Sequence, residues 1–186
     1  MAARPTRAML IERRRDTYSN YPWMEFAVRE SDANKGLGVK EVPGLGPERS
    51  NDRIEEYLRT CSNIGAKAQN KDDTAWCSAF VNWCMRQAGL WGTCHARAIS
   101  WLNWGHPCTA QYGAVTILKP DGKDKDQSSG HVSFYVASVE GKIWLLGGNQ
   151  DNRVKLSHYD PDRVRGYRWP GIYWDKRQQT SDIRLA

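Results

Sequence analysis

The hydrophobic periodicity of this chain changes once, from helical spacing in the first part to strand spacing in the last part. A stripe of apolar side chains begins at Cys77 and continues at positions three, four, seven, eight and eleven residues later, at Phe80, Val81, Cys84, Met85 and Ala88. These intervals are those of one face of an amphipathic helix. From about Tyr112 onwards, apolar and polar residues alternate as they do in half-buried strands. Helices followed by a meandering antiparallel sheet predict the α+β class.

The remaining segments fit the same organisation. Besides the helix that begins at Cys77, helices are expected over residues 22–31, 51–61 and 96–104. About five strands are expected, over residues 112–118, 131–139, 142–146, 153–159 and 164–169. A chain of 186 residues is long enough for one hydrophobic core. We therefore expect a single domain over residues 21–174, between a basic N-terminal arm (1–20) and a C-terminal tail (175–186).

Cys77 stands at the start of its helix. Asp73 and Thr74 precede the apolar stripe, and Thr74 is the expected N-cap. The backbone dipoles of a first turn favour a thiolate, and the backbone N–H of Cys77 or Ser78 is a suitable donor to the oxyanion of an acyl substrate. We predict that Cys77 is a nucleophile, with Ser78 and Asp73 at the oxyanion site or cleft. Cys84, further along the stripe, is expected to be a small buried hydrophobe.

A histidine begins the second strand of the predicted sheet. Val132, Phe134 and Val136 point to one face, so His131 lies on the more polar face. An isolated strand histidine is usually structural or simply exposed. An imidazole that lies beside a thiol can instead take its proton. Together with Cys77, His131 therefore predicts a cysteine hydrolase in which it is the general base.

The next strand offers an amide that can orient this histidine. If the hairpin has a two-residue loop and no bulge, Gln150 lies opposite His131. One extra residue, as a bulge at Gly147 or Gly148, places Asn149 there instead. Either amide oxygen can accept a hydrogen bond from the second N–H of the imidazole and fix its tautomer. Asn149 is the preferred third residue and Gln150 the alternative.

The order of cysteine, histidine and asparagine, on a helix followed by an antiparallel sheet, resembles the CHAP family of papain-like, NlpC-type cell-wall hydrolases (cysteine, histidine-dependent amidohydrolases/peptidases). The likeness covers about residues 22–170 and is greatest to a CHAP-related group found in phage lysins and secreted antibacterial effectors. Its motifs are Trp76 to Cys84, Gly92-Thr93, Ser100-Trp101-Leu102, Trp104-Gly105, Gly130 to Tyr135, Gly148-Asn149-Gln150 and Gly166-Tyr167-Arg168. Many CHAP enzymes have a glutamate two residues before the asparagine, where this chain has Gly147.

The resemblance implies a thiol enzyme that cleaves amide bonds in the stem peptide of peptidoglycan and needs no cofactor. It implies that Cys77 is the nucleophile and His131 the general base. Two settings are expected: an antibacterial toxin injected by a type VI-like secretion system, which would need a cognate immunity protein, or a phage endolysin. The alternatives are a pseudo-enzyme that binds wall fragments without hydrolysis, and a deamidase or acyltransferase that uses the same cysteine and histidine.

The formal net charge of +6 does not indicate a nucleic-acid partner, because of where the charge lies. Five arginines against Glu12 and Asp16 give residues 1–20 about half of it, and no basic stripe with interleaved aromatics covers the body of the chain. No apolar run is long enough to span a bilayer, and the N-terminus lacks the apolar stretch of a signal peptide. We expect a monomer made in the cytoplasm that acts in the periplasm or cell wall of a target bacterium after secretion or phage-mediated release.

The other cysteines and the tryptophans complete the sequence expectations. Cys61, Cys84, Cys94 and Cys108 are expected to be free thiols, although Cys94 and Cys108 flank a short segment that a disulfide could close. A zinc site of Cys94, His95, His106 and Cys108 does not match the usual ligand spacing, so no metal is expected. Among the nine tryptophans, Trp83 and Trp101 are expected in the core, whereas Trp76 is expected to shape the cleft.

Overall fold

The computed structural model describes residues 20–43, 50–120 and 129–171 of the chain. Within these ranges the helices precede the sheet, and they are α1 (Pro22–Gly36), α2 (Asp52–Leu58), α3 (Ala66–Gln69) and α4 (Cys77–Gln87). The 3₁₀ helices are Ala98–Asn103 and Pro161–Arg163. This confirms the α+β class. The expected arm, apart from Asn20, and the expected tail lie outside the described residues.

The described strands form one antiparallel sheet in the order β1-β6-β2-β3-β4-β5. They are β1 (His106–Cys108), β2 (Val115–Leu118), β3 (His131–Val139), β4 (Lys142–Gly147), β5 (Lys155–Tyr159) and β6 (Val164–Trp169). The prediction missed β1, because a three-residue strand with Pro107 at its centre is too short to show alternation. β1 and β5 are the outer strands of the described sheet.

The β3–β4 hairpin contains the one-residue shift that the sequence left open, but in a different strand. Ala137 pairs with Trp144, whereas Tyr135 pairs with Leu145, so Val136 is the extra residue. The bulge therefore lies within β3 and not at Gly147 or Gly148, the positions predicted from the sequence. The last ladder pair is Phe134 with Leu146, and the register beyond it would place Asn149 opposite His131.

The chain leaves β4 at Gly147 and does not continue that register. An added Cβ at Gly147 would lie 2.1 Å from Ser133 Oγ, and one at Gly148 would lie 2.5 Å from the Trp76 ring. Both glycines are therefore needed for close approach between this turn and its neighbours. Asn149 then adopts a left-handed conformation with φ of 54°, which redirects the chain before Gln150.

Helix α4 is enclosed by the rest of the domain. It packs on β3 and against α1 and α2, and every residue from 77 to 85 is buried. The sequence predicted a single apolar stripe, which underestimates this burial. Trp83 and Trp101 lie in the core as expected. Trp76 is also fully buried (0% exposed), so it belongs to the core and not to a cleft wall as predicted.

The other helices differ from the predictions mainly at their ends. Asn51 caps α2 by accepting from the Arg53 backbone N–H at 2.9 Å, and that helix ends earlier than expected. Helix α1 extends past residue 31, with non-helical backbone at Ala33. The expected helix over residues 96–104 is a 3₁₀ helix, Ala98–Asn103. No helix in the described ranges combines the length and apolarity needed to cross a membrane.

Candidate active site

Cys77 is the first residue of α4, and its thiol lies among backbone donors. Trp76 occupies the N-cap position without a side-chain cap. Thr74, the predicted cap, instead donates from Oγ1 to the Ala68 carbonyl oxygen at 2.9 Å. The backbone N–H groups of Val132, Ser78 and Cys77 itself lie close enough to the thiol to lower its pKa. The thiol therefore lies where the start of α4 meets the start of β3.

Burial dominates the acidity of this thiol. Only 8% of Cys77 is exposed, and burial raises the pKa of the thiol above its ordinary value of 9.0, although the three backbone hydrogen bonds oppose the shift. From the sequence, the helix terminus is expected to favour the thiolate. That expectation was wrong for the free protein, because it considered the dipoles of one helix and not the elements that cover the sulfur.

His131 begins β3 and is the residue immediately before Val132, whose N–H meets the thiol. Its imidazole Nε2 lies 2.7 Å from Ser133 Oγ. Burial, followed by the positive charge of Arg163, lowers the pKa of His131 from 6.5 to about 4, while a side-chain hydrogen bond with Gln150 acts in the opposite direction. The imidazole is therefore neutral at pH 7, the form that can accept a proton.

Gln150 supplies the amide that meets this imidazole. It is buried, with 4% exposed, and its Nε2 donates to the carbonyl oxygens of Gly147, at 3.1 Å, and Lys155. Its Oε1 accepts from the Tyr159 hydroxyl at 2.7 Å. Because the amide nitrogen is committed to two carbonyl oxygens, Oε1 is the atom available to accept from His131. The contact favours the alternative, Gln150, over the preferred Asn149, and the catalytic role of either residue remains a prediction.

The sequence of this site also matches a known family. Residues 69–149 match the family model of the CHAP domain. Over this stretch the chain is similar to the CHAP family. No curated protein and no solved structure matches the chain. The matched range includes Cys77 and His131 and ends at Asn149, one residue before Gln150. The CHAP relationship expected from the sequence is thereby confirmed, and it indicates peptidoglycan amidase or peptidase activity.

The other residues predicted for the site have mainly structural contacts. The Ser78 hydroxyl donates to the His95 carbonyl oxygen at 2.6 Å and accepts from Trp101 Nε1 at 2.8 Å. Trp76 Nε1 donates to Glu41 Oε1 at 2.8 Å. The Asp73 side chain is exposed. Among these residues, Ser78 faces the thiol through its backbone N–H.

Sequence reasoning missed three side chains around His131: Ser133, Tyr159 and Arg163. Ser133 could have been found, because it lies two residues beyond His131 on the same face of β3. Tyr159 could not have been found locally. It pairs with Ile143 across β4 and β5, and its ring centroid lies 5.9 Å from that of His131. Arg163 lies in the 3₁₀ helix after β5, with its guanidinium 5.3 Å from the Tyr159 ring centroid.

The free thiols of the chain include Cys94 and Cys108. Cys61 Sγ accepts from Asn82 Nδ2 at 3.9 Å, and burial raises the pKa of Cys61 to about 11. Within residues 20–43, 50–120 and 129–171, no group of three or more His, Cys, Asp and Glu side chains is arranged to hold a metal ion.

Proposed function

We propose that this protein hydrolyses amide bonds in the stem peptide of peptidoglycan, with Cys77 as nucleophile and His131 as general base. One observation carries the proposal: the Cys77 sulfur lies at the start of a buried helix, beside the backbone of the residue that follows His131. The CHAP family match supports the substrate class. Gln150 is the orienting amide in this proposal, because it contacts the imidazole.

The pKa shifts of Cys77 and His131 define the protonation state of the resting site. A thiol with a raised pKa and an imidazole with a pKa of about 4 are both neutral at pH 7. Proton transfer from Cys77 to His131 therefore accompanies attack on the carbonyl carbon and does not precede it. As the carbon–sulfur bond forms, the carbonyl oxygen becomes an oxyanion, and the backbone N–H groups of Cys77 and Ser78 are fixed donors beside the sulfur.

The second half of the reaction returns the proton. Collapse of the tetrahedral intermediate breaks the carbon–nitrogen bond, and the imidazolium of His131 protonates the leaving amine. Water then attacks the thioester with His131 again as base, which releases the carboxylic acid and restores the thiol. Throughout the reaction, Gln150 Oε1 accepts a hydrogen bond from one imidazole N–H. The other ring nitrogen of His131 therefore accepts the transferred proton and later donates it.

A groove of about 330 Å³ at the edge of the sheet suits an extended polymeric substrate. It lies along β5 and is lined by Trp144, Asp151, Lys155, His158 and Tyr159, among others. Aromatic faces stack on sugar rings, and the Asp151–Lys155 ion pair offers both charges to a peptide. Tyr159 lines this groove, and its ring centroid also lies 5.9 Å from that of His131. We propose that it holds part of the wall polymer.

Digestion of purified peptidoglycan tests the reaction. The wild-type protein is expected to change the muropeptide profile seen by mass spectrometry, whereas Cys77→Ala leaves it unchanged. Cys108→Ala is the matched control, because Cys108 is another free thiol, on β1, and should retain activity. The new terminal groups identify the amide bond that is cut. Unchanged muropeptides with folded wild-type protein would refute the hydrolase proposal.

A second candidate, a protein that binds wall fragments without cutting them, is favoured by the small exposed fraction of Cys77, 8%. Sedimentation with insoluble peptidoglycan separates the two. Binding without new muropeptides supports the second candidate, and cleavage supports the first.

We further propose that the protein acts on the wall of a target bacterium, as an injected antibacterial effector or a phage lysin, and that an effector has a cognate immunity protein. The CHAP match and the expected substrate support this setting. Expression in a bacterium with and without an added signal sequence tests it. Lysis only on export to the periplasm is the expected result, and lysis by the unexported protein alone would contradict it.

A further inference from the structure

Tyr159, the last residue of β5, contacts the candidate site through both its ring and its hydroxyl. Its ring lies 5.9 Å from the His131 ring, with 32° between the planes. The Arg163 guanidinium covers the same tyrosine ring at 5.3 Å. The hydroxyl donates to Gln150 Oε1 at 2.7 Å. Tyr159 is thus held on a ring face by Arg163 and at its tip by Gln150, while it packs beside the imidazole.

The hydrogen bonds of the Gln150 amide allow one orientation. Nε2 donates to the carbonyl oxygens of Gly147 and Lys155, and Oε1 accepts from Tyr159. A 180° flip would place Oε1 against two carbonyl oxygens and Nε2 against a hydroxyl, so two acceptor pairs would face each other in a buried site. Burial also raises the pKa of Tyr159 to about 12, so its hydroxyl keeps its proton at physiological pH.

We propose that Tyr159 is a positioning residue for His131: its hydroxyl anchors the Gln150 amide oxygen so that the imidazole keeps one tautomer. The inference rests on the proposed thiol mechanism, in which one ring nitrogen must be free of its proton to receive that of Cys77. Tyr159 itself touches neither the transferred proton nor the scissile bond. Its effect passes through Gln150.

Tyr159→Phe tests this role, because it keeps the ring against His131 and Arg163 and removes only the hydroxyl. Loss of this partly buried hydrogen bond, which orients the base, is expected to lower kcat on peptidoglycan by about tenfold with KM little changed. The matched control is Tyr135→Phe. Tyr135 is a buried tyrosine of β3 whose hydroxyl lies 2.7 Å from Ser138 Oγ, so the variant loses a similar contact away from the site and should stay within about twofold of wild type.

A spectroscopic readout separates positioning from a general loss of stability. In ¹⁵N-labelled protein at pH 7, two-bond ¹⁵N–¹H correlations should show one tautomer for the His131 ring of wild type and Tyr135→Phe, and a mixture for Tyr159→Phe. In a Gln150→Ala background, Tyr159→Phe should have no further effect on the tautomer ratio. A single unchanged tautomer in Tyr159→Phe, or an equal effect of Tyr159→Phe with and without Gln150, would overturn the inference.

The same measurement keeps this inference distinct from the proposed function. If the wild-type protein leaves peptidoglycan intact, the hydrolase proposal fails, but the tautomer comparison still decides whether Tyr159 orients His131. If cleavage is observed and the tautomer does not respond, the positioning role alone is refuted.

Discussion

Acidification from pH 7 to pH 5 is expected to destabilise the folded protein through His131. Its pKa is about 4 in the fold, against an ordinary value of 6.5, because burial and Arg163 disfavour the imidazolium. Between these two values the unfolded chain binds more protons than the folded chain. The free energy of unfolding therefore falls as the pH falls through 6.5, and this loss levels off below pH 4.

The size of the effect follows from the gap between the two pKa values. The linkage relation gives about 2 kcal/mol of lost stability at pH 5 and about 3 kcal/mol at pH 4, relative to pH 7. Urea unfolding of wild type and His131→Gln at each pH measures it, since the variant lacks the titrating ring. The wild type should lose about 2 kcal/mol more than His131→Gln between pH 7 and pH 5.

His106→Gln is the control, because His106 is an exposed histidine on the outer strand β1. It should lose as much stability as the wild type on acidification. Equal losses for wild type and His131→Gln would refute the argument that burial keeps this imidazole neutral.

Three further substitutions or measurements test other parts of the site. Gln150→Glu should lower the free energy of urea unfolding at pH 7 by about 2 kcal/mol, because a carboxylate would face two backbone carbonyl oxygens. The control Asn149→Asp should change this free energy little. A larger loss for Asn149→Asp than for Gln150→Glu would contradict the hydrogen bonds assigned to the Gln150 amide. The rate of Cys77 alkylation by iodoacetamide should rise with pH without a plateau below pH 9, since burial raises the thiol pKa. A plateau of this rate near pH 7 would instead show a preformed thiolate. Gly148→Ala should cost about 1–3 kcal/mol in urea unfolding, because its Cβ would lie within 2.6 Å of core side chains, whereas Gly65→Ala meets no atom within 4 Å and should be nearly neutral.

The features of the site that are local in sequence could be predicted. The period of the apolar stripe placed Cys77 in the first turn of a helix, and alternation placed His131 at the start of a strand whose bounds, His131–Val139, match the expected ones. Both patterns depend on residues within one element. The cap at Thr74 was wrong, because two further residues separate it from α4 and its hydroxyl bonds to Ala68.

The features that depend on contacts between distant elements could not be predicted. The register of the hairpin depends on the bulge at Val136. Which amide reaches the imidazole depends on the left-handed backbone at Asn149. No local sequence pattern indicates either feature. The contact of Tyr159 with Gln150 depends on the pairing of β4 with β5. The direction of the Cys77 pKa shift was predicted wrongly for the same reason. Burial raises this pKa, and it depends on all the elements that pack around α4.

Strand β5 gives the site a point of weakness. Within the described sheet it pairs with β4 alone, yet it supplies both the Tyr159 hydroxyl and the Lys155 carbonyl oxygen that hold Gln150. Peripheral strands detach at lower free energy than the centre of a domain. Heat should therefore inactivate the protein before α4 separates from β3. Amide hydrogen exchange should show that β5 has detached while far-UV circular dichroism still shows intact helices.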